Sequence, residues 1–192
     1  MAQGEPERAR AAFLDFLRHY RPRTFGEALG VRLSRDYPLW QFPWKWPLRA
    51  PHAWIEQPEQ VVDVMTHFSP HGIARSCVER EYAWHQHAHE RMRDVGYRPS
   101  FTSYARAIIL RSQQRSAYLL TDGNHRASAL SALGVTSLAV VALRGRTVHR
   151  DQVERWPLVR LGRMRADDAL AIFDAYHHGN QAPARSEPAP LV

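Results

Sequence analysis

The spacing of apolar positions changes several times along the chain, and each change predicts an element. Over residues 5–20, Ala11, Phe13, Leu14, Phe16 and Leu17 fall on one broad helical face with arginines and carboxylates elsewhere, which predicts an amphipathic helix. Thr24 and Glu27 stand at capping-box spacing and predict a short second helix that stops at Gly30. Prolines 38, 43 and 47 then exclude regular helix or central strand, so Trp40, Phe42, Trp44 and Trp46 are expected in an aromatic loop. Residues 60–66 are rich in β-branched side chains and predict a strand closed by Ser69 and Pro70. A long helix follows over 76–95, carrying Val78, Tyr82, Trp84, Ala88, Met92 and Val95 at three- and four-residue spacing, with Gly96 as its stop.

Beyond Gly96, two apolar runs, 106–110 and 117–121, flank a polar turn and predict a hairpin. Asp122 and Gly123 end its second strand. Asn124 is the expected cap of a helix bearing Ala127, Leu130 and Leu133, which Gly134 stops, and 135–143 is the next buried strand. A short helix over 148–155, a break at Trp156 and Pro157, and a helix over 167–177 with Leu170, Phe173 and Tyr176 inward complete the pattern. The Pro- and Ala-rich end, 181–192, is expected to be disordered. The predicted class is α/β (α+β), a small mixed sheet with helices. The predicted organisation is an N-terminal helical and aromatic wrap (1–56), a core (57–145), a C-terminal helical extension (146–180) and a tail (181–192).

Composition narrows this picture. A chain of 192 residues, 44% of them apolar, suits one domain with extensions, and no run approaches the roughly 20 apolar residues of a membrane span. Neither a signal-like N-terminus nor more than one cysteine, Cys77, is present, so a cytoplasmic protein without disulfides is expected. The 26 basic residues exceed the 19 acidic ones by 7, and Lys45 is the only lysine. Arginine's planar fork suits phosphate and carboxylate partners, although arginine richness is equally a matter of overall composition bias.

Chemistry concentrates at Asp122-Gly123-Asn124-His125-Arg126. A strand, a glycine turn and a helix whose first turn holds His and Arg present open amides, the positive end of the helix dipole and a guanidinium to an anion. An ordinary strand-turn-helix has the same outline. His85 and His89 lie one helical turn apart, a spacing that chelates metals, but no third ligand is evident and a surface or packed helix is the expected reading. His177 and His178 are expected to complement a helix dipole. The tryptophans of the aromatic loop, with Trp54, suit either stacking on a ligand or, preferentially, clamping the first helix onto the sheet.

Residues 119–143, LLTDGNHRASALSALGVTSLAVVAL, resemble the signature of the ParB/sulfiredoxin fold: an apolar strand, Gly-x-x-Arg, an Ala-rich helix, a glycine and a Val-rich strand. The predicted order upstream, from Val61 to Leu110, is similar to that superfamily as well. Sulfiredoxin carries a catalytic cysteine just before the His-Arg pair, where this chain has Asn124. Segregation-type ParB proteins continue into a helix-turn-helix domain, for which too little chain follows Arg144. The free-serine kinase branch has Asp-Gly-His-His-Arg, and residues 122–126 match four of those five.

The resemblance implies a nucleotide-dependent phosphotransferase, a kinase that uses ATP or CTP with Mg²⁺ on a small hydroxyl-bearing metabolite. Gly123, Asn124, His125 and Arg126 would cradle the phosphates, with Arg75 and Arg80 within reach. Asp122 would hold Mg²⁺ or accept the acceptor's proton, and His125 would donate to a phosphate oxygen. The kinase branch also has an acid soon after the proline that ends the first strand. His71 and Gly72 follow Pro70 here, so Glu79 and Glu81 are the nearest replacements. The alternatives are a nucleotide-binding regulatory module without turnover and a ParB-like nucleic-acid-binding protein. No membrane partner is expected.

Overall fold

A computed structural model describes residues 4–19, 22, 24–39, 41–46, 75–98, 104–113 and 115–179. The predicted strand at 60–66, Trp40, Trp54 and the tail 181–192 lie outside the described residues. The elements, in order, are α1 (Gly4–His19), α2 (Phe25–Leu29), α3 (Arg75–Val95), β1 (Ala105–Arg111), β2 (Ser116–Asp122), α4 (Asn124–Ala132) and β3 (Val140–His149). A 3-10 segment (Arg150–Arg155), α5 (Pro157–Arg160) and α6 (Ala166–His178) follow. This is a mixed α/β fold. The chain divides into two compact units, Glu81–Gln152 and Met1–Arg80 with Val153–Val192. Among the described residues, no helix is long and apolar enough to cross a membrane.

In the unit Glu81–Gln152, three described strands form a sheet in the order β2-β1-β3. β1 pairs antiparallel with β2 and parallel with β3, so α4 carries the chain from one side of β1 to the other. β1 is central because its side chains allow it: Ala105, Ala107, Ile108 and Leu110 are all buried, a run suited to a strand covered on both faces. The predicted hairpin is present in register from Ala107 opposite Leu120 to Arg111 opposite Ser116. Met92 of α3 packs with Ala129 and Leu130 of α4, with Ala88, Tyr97, Leu133 and Leu138 around them. The Tyr97 hydroxyl accepts from the Ala105 amide (3.2 Å) and donates to the Ala139 carbonyl (2.9 Å), tying the start of β1 to the approach of β3.

Three expectations in this unit need correction. The last strand begins at Val140 rather than 135, because the Val135 amide bonds back to the Leu130 carbonyl and prolongs the helix exit. The predicted short helix at 148–155 is a 3-10 segment, with β3 extending to His149. Asn124 is not the cap of α4. Gly123 occupies that position in the left-handed region (φ 89°), Asn124 is the first helical residue, and no side chain bonds the open amides.

The other unit is organised by aromatic packing. Thr24 and Glu27 form the predicted capping box, and α2 buries Phe25, Ala28 and Leu29 before Gly30 turns left-handed. Phe25 meets Phe42 edge-on at 5.4 Å and Tyr176 at 6.4 Å. Trp44 packs edge-on against Trp156 (5.5 Å) and Phe173 (6.1 Å). The described part of the aromatic loop therefore clamps α6 and the Trp156 turn. Trp46 remains 66% exposed. On α6 the buried residues are Asp168, Ala169, Ile172, Phe173 and Ala175, so Leu170 and Tyr176 flank the inward face. His177 stacks on Phe173 at 5.6 Å in the last turn of α6, where the dipole favours a cation.

Asp168 is the one buried charged side chain among the described residues. It accepts from the Ser34 amide (2.8 Å), the Ser34 hydroxyl and the Tyr37 hydroxyl (2.8 Å), which ties the 31–37 segment to α6. Burial opposes ionisation. The hydrogen bonds from Ser34 and Tyr37 and the charge of Arg165 outweigh it and hold the carboxyl below its ordinary value. With the folded value depressed, this stabilisation is complete above the unfolded value near 4 and is lost as pH falls through the folded value. Asp168→Ala is expected to cost roughly 3 kcal/mol at neutral pH in urea unfolding, since it strands three donors, and Tyr37→Phe about 1 kcal/mol. The penalty of Asp168→Ala should shrink as pH is lowered below 4.

Candidate functional site

The site is built around the strand-turn-helix of β2 and α4. Gly123 is required on two counts. Its φ of 89° disfavours any side chain, and a Cβ there would lie 2.7 Å from the Ala105 Cβ and 3.0 Å from its Cα. The turn is thus seated directly on the first residue of the central strand. Arg126, one helical turn on, folds its guanidinium back over the glycine, with Nη2 3.2 Å from the position of that same Cβ. Nη2 also lies 3.9 Å from Asp122 Oδ1. Open amides of α4, its dipole and a guanidinium therefore converge on one turn, an arrangement that receives anions.

On the other side of α4's first turn, α3 supplies Glu81 and His85, four residues apart and so on one face. His125 Nε2 donates to Glu81 Oε1 at 2.6 Å. The same oxygen is 3.6 Å from His85 Nε2, and the two imidazole rings meet edge-to-face with centroids 4.5 Å apart. Trp84 closes another side of His125 at 5.8 Å while remaining 44% exposed. One nitrogen or oxygen from each of Glu81, His85 and His125 lies within 4.8 Å of the others, the only such group of three metal-ligating side chains among the described residues. All three are partly open to solvent. Burial first, and then the neighbouring His125, hold the His85 pKa below that of a free imidazole against the pull of Glu81, so its ring favours the neutral form.

The sequence-predicted residues fall into three groups. Glu81, Asp122, Gly123, Asn124, His125 and Arg126 belong to one compact unit, and α4's first turn joins them. Glu79 lies in the other unit, where its carboxylate takes a two-pronged ion pair from Arg10 of α1. Arg80 is half-buried and, like Glu79, belongs to the other unit. Arg75 begins α3, and its side chain lies outside the described residues. His85 was paired in the sequence with His89, but it turns to Glu81 and His125 instead. The Glu81-His85 interval was equally visible in the sequence, whereas His125 is 44 residues from Glu81 and only folding brings it in. Asp122, the expected Mg²⁺ ligand, is one exposed carboxylate beside a guanidinium. Such a residue fits Mg²⁺ only as a cation carried in on phosphate oxygens.

Compared with protein-family models, curated proteins and solved structures, the chain matches none.

The turn makes its own test. Gly123→Ala is expected to lose at least about 2 kcal/mol in urea unfolding, from the left-handed φ together with the collision at Ala105. Gly134→Ala shares the positive φ (76°) but meets nothing within 4 Å. It should cost only about 1 kcal/mol. Equal losses would show that the seat on Ala105 does not constrain the turn.

Proposed function

We propose that the chain is a nucleotide-dependent phosphotransferase, a kinase acting on a small hydroxyl-bearing metabolite at the N-terminus of α4. The observation that carries this reading is the guanidinium of Arg126 folded over the Gly123 turn, beside helix amides that no side chain caps. Phosphoryl transfer asks mainly for positioning and for charge neutralisation around the phosphate oxygens, and this turn offers both. The four-of-five match to the kinase-branch motif supports the same reading.

The amides of Asn124 and His125 would hold the phosphates of ATP or CTP, and Arg126 would fork two of their oxygens. Mg²⁺ borne on those phosphates supplies further charge neutralisation. Asp122, at the mouth of the turn, would orient the acceptor or the cation's water. Glu81 and His125 lie on the acceptor side and would polarise its hydroxyl. Of the two carboxylates offered as replacements for the missing acid after Pro70, only Glu81 is retained, because Glu79 is committed to Arg10. A nucleotide-binding module without turnover is the second reading. The 2.6 Å bond from His125 to Glu81 favours it, since that bond directs Nε2 of the imidazole at a carboxylate rather than at a phosphate.

Calorimetric titration with ATP, CTP and GTP, with and without Mg²⁺, tests the cradle. One nucleotide is expected to bind saturably, and Arg126→Ala should weaken it at least about tenfold, the worth of a charge-assisted hydrogen bond. Unchanged affinity in a folded Arg126→Ala chain would remove the cradle. Asp122→Asn is expected to keep nucleotide affinity and to lose about a hundredfold or more in nucleoside diphosphate release with an active acceptor. Binding without diphosphate release across serine, sugar and other hydroxyl acceptors would select the second reading.

A further inference from the structure

We infer that Glu81, His85 and His125 form a binding site for a single divalent transition metal of the Zn²⁺ class, distinct from any Mg²⁺ that accompanies a nucleotide. Three kinds of observation meet here. The donor set, two imidazoles and one carboxylate, is the borderline-soft combination that suits Zn²⁺ and its neighbours and is poorly suited to Mg²⁺ or Ca²⁺, which prefer all-oxygen shells. The spacing is close to that of a coordination shell: ligand atoms on a tetrahedral ion with bonds of about 2.0–2.2 Å lie roughly 3.4 Å apart. Glu81 Oε1 and His85 Nε2 are already 3.6 Å apart, and His125 Nε2, at 2.6 Å from the same oxygen, needs to withdraw by less than an ångström.

The third observation concerns rigidity and access. Glu81 and His85 share one face of the 21-residue α3, and His125 is in the first turn of α4, which the Gly123 seat and the packing of Met92 on Ala129 and Leu130 hold in place. Two ligands from one helix and a third from a neighbouring helix fix three corners. With each side chain 22–36% exposed, the fourth position is open to water or to a ligand oxygen. A neutral His85 offers its Nε2 lone pair without loss of a proton. A neutral His125 gives up no net proton either: on metal binding at Nε2, the ring's single hydrogen resides on Nδ1. An imidazolium His125 releases one proton.

This inference deepens the phosphotransfer reading by placing a metal on the acceptor side, but the binding itself needs only the three side chains. The two therefore fail separately. The full-length chain, stripped with a chelator and titrated with Zn²⁺ and then Co²⁺, is expected to bind one equivalent of each, with Co²⁺ giving the visible absorption of a four- or five-coordinate ion. His85→Ala, His125→Ala and Glu81→Gln should each lower Zn²⁺ affinity by more than about tenfold, whereas His89→Ala should leave it unchanged. Arg126→Ala should leave Zn²⁺ binding intact while weakening nucleotide binding at least about tenfold. Imidazole resonances of the wild-type chain give a check that involves no variant: Zn²⁺ should shift those of His85 and His125 and spare His89. Absence of saturable binding, resonance shifts confined to other histidines, or a loss in His89→Ala equal to that in His85→Ala would overturn the site.

Discussion

Everything the candidate site can do depends on the contact between Gly123 and Ala105. The central strand begins with a residue whose small side chain is fully buried, and the turn that starts α4 rests on it with no room for a Cβ. That contact fixes both the height and the direction of the helix relative to the sheet. Arg126 can then fold back over the turn, and His125 projects toward α3 rather than along the sheet. A larger residue at either position would lift the helix, and close packing gives the interior little freedom to absorb the change. Hydrophobic packing of Met92 on Ala129 and Leu130 holds the same two helices together further along. The polar site is the upper end of an interface whose lower end is apolar.

The electrostatics of that interface are asymmetric. On one side of the first turn of α4, a guanidinium and open amides present positive potential; on the other, a single carboxylate is shared by two imidazoles. Burial first, and then the neighbouring ring of His125 4.5 Å away, disfavour a proton on His85, and the shared carboxylate of Glu81 only partly offsets them. The cluster is more simply satisfied by one positive charge held among the three groups. In the proposed metal site, a divalent cation supplies that charge with all three donors engaged.

Local signals were legible in the sequence, and partnerships across long separations were not. The capping box at Thr24, the hairpin on either side of residues 112–115, the left-handed Gly96 and Gly123, and the strand-turn-helix of the motif all follow from short-range rules of spacing and backbone freedom. The start of β3 was misplaced because Val135 and its neighbours are as β-prone as the true strand, and only the return bond to Leu130 distinguishes them. The aromatic loop was correctly seen as irregular, but its partner was not, since nothing in a Pro-Trp pattern says that Phe173 and Trp156 await it. Asp168 is by position a first-turn helix acid, and its role rests on Ser34 and Tyr37, more than 130 residues away.

The same distinction explains the histidines. Along α3, residues 85, 87 and 89 carry imidazoles, and helical spacing alone pairs the first with the last. Spacing also pairs Glu81 with His85, and the choice between these two pairings depends on what faces the helix there. His125 decides it, because an imidazole arriving from α4 finds a carboxylate at Glu81 and completes a set with His85, while His89 stands one helical turn further along. A pair of side chains one helical turn apart is common and binds little by itself. A third ligand fixed by a separate element makes the geometry persistent, and that persistence separates a coordination site from a coincidence of histidines.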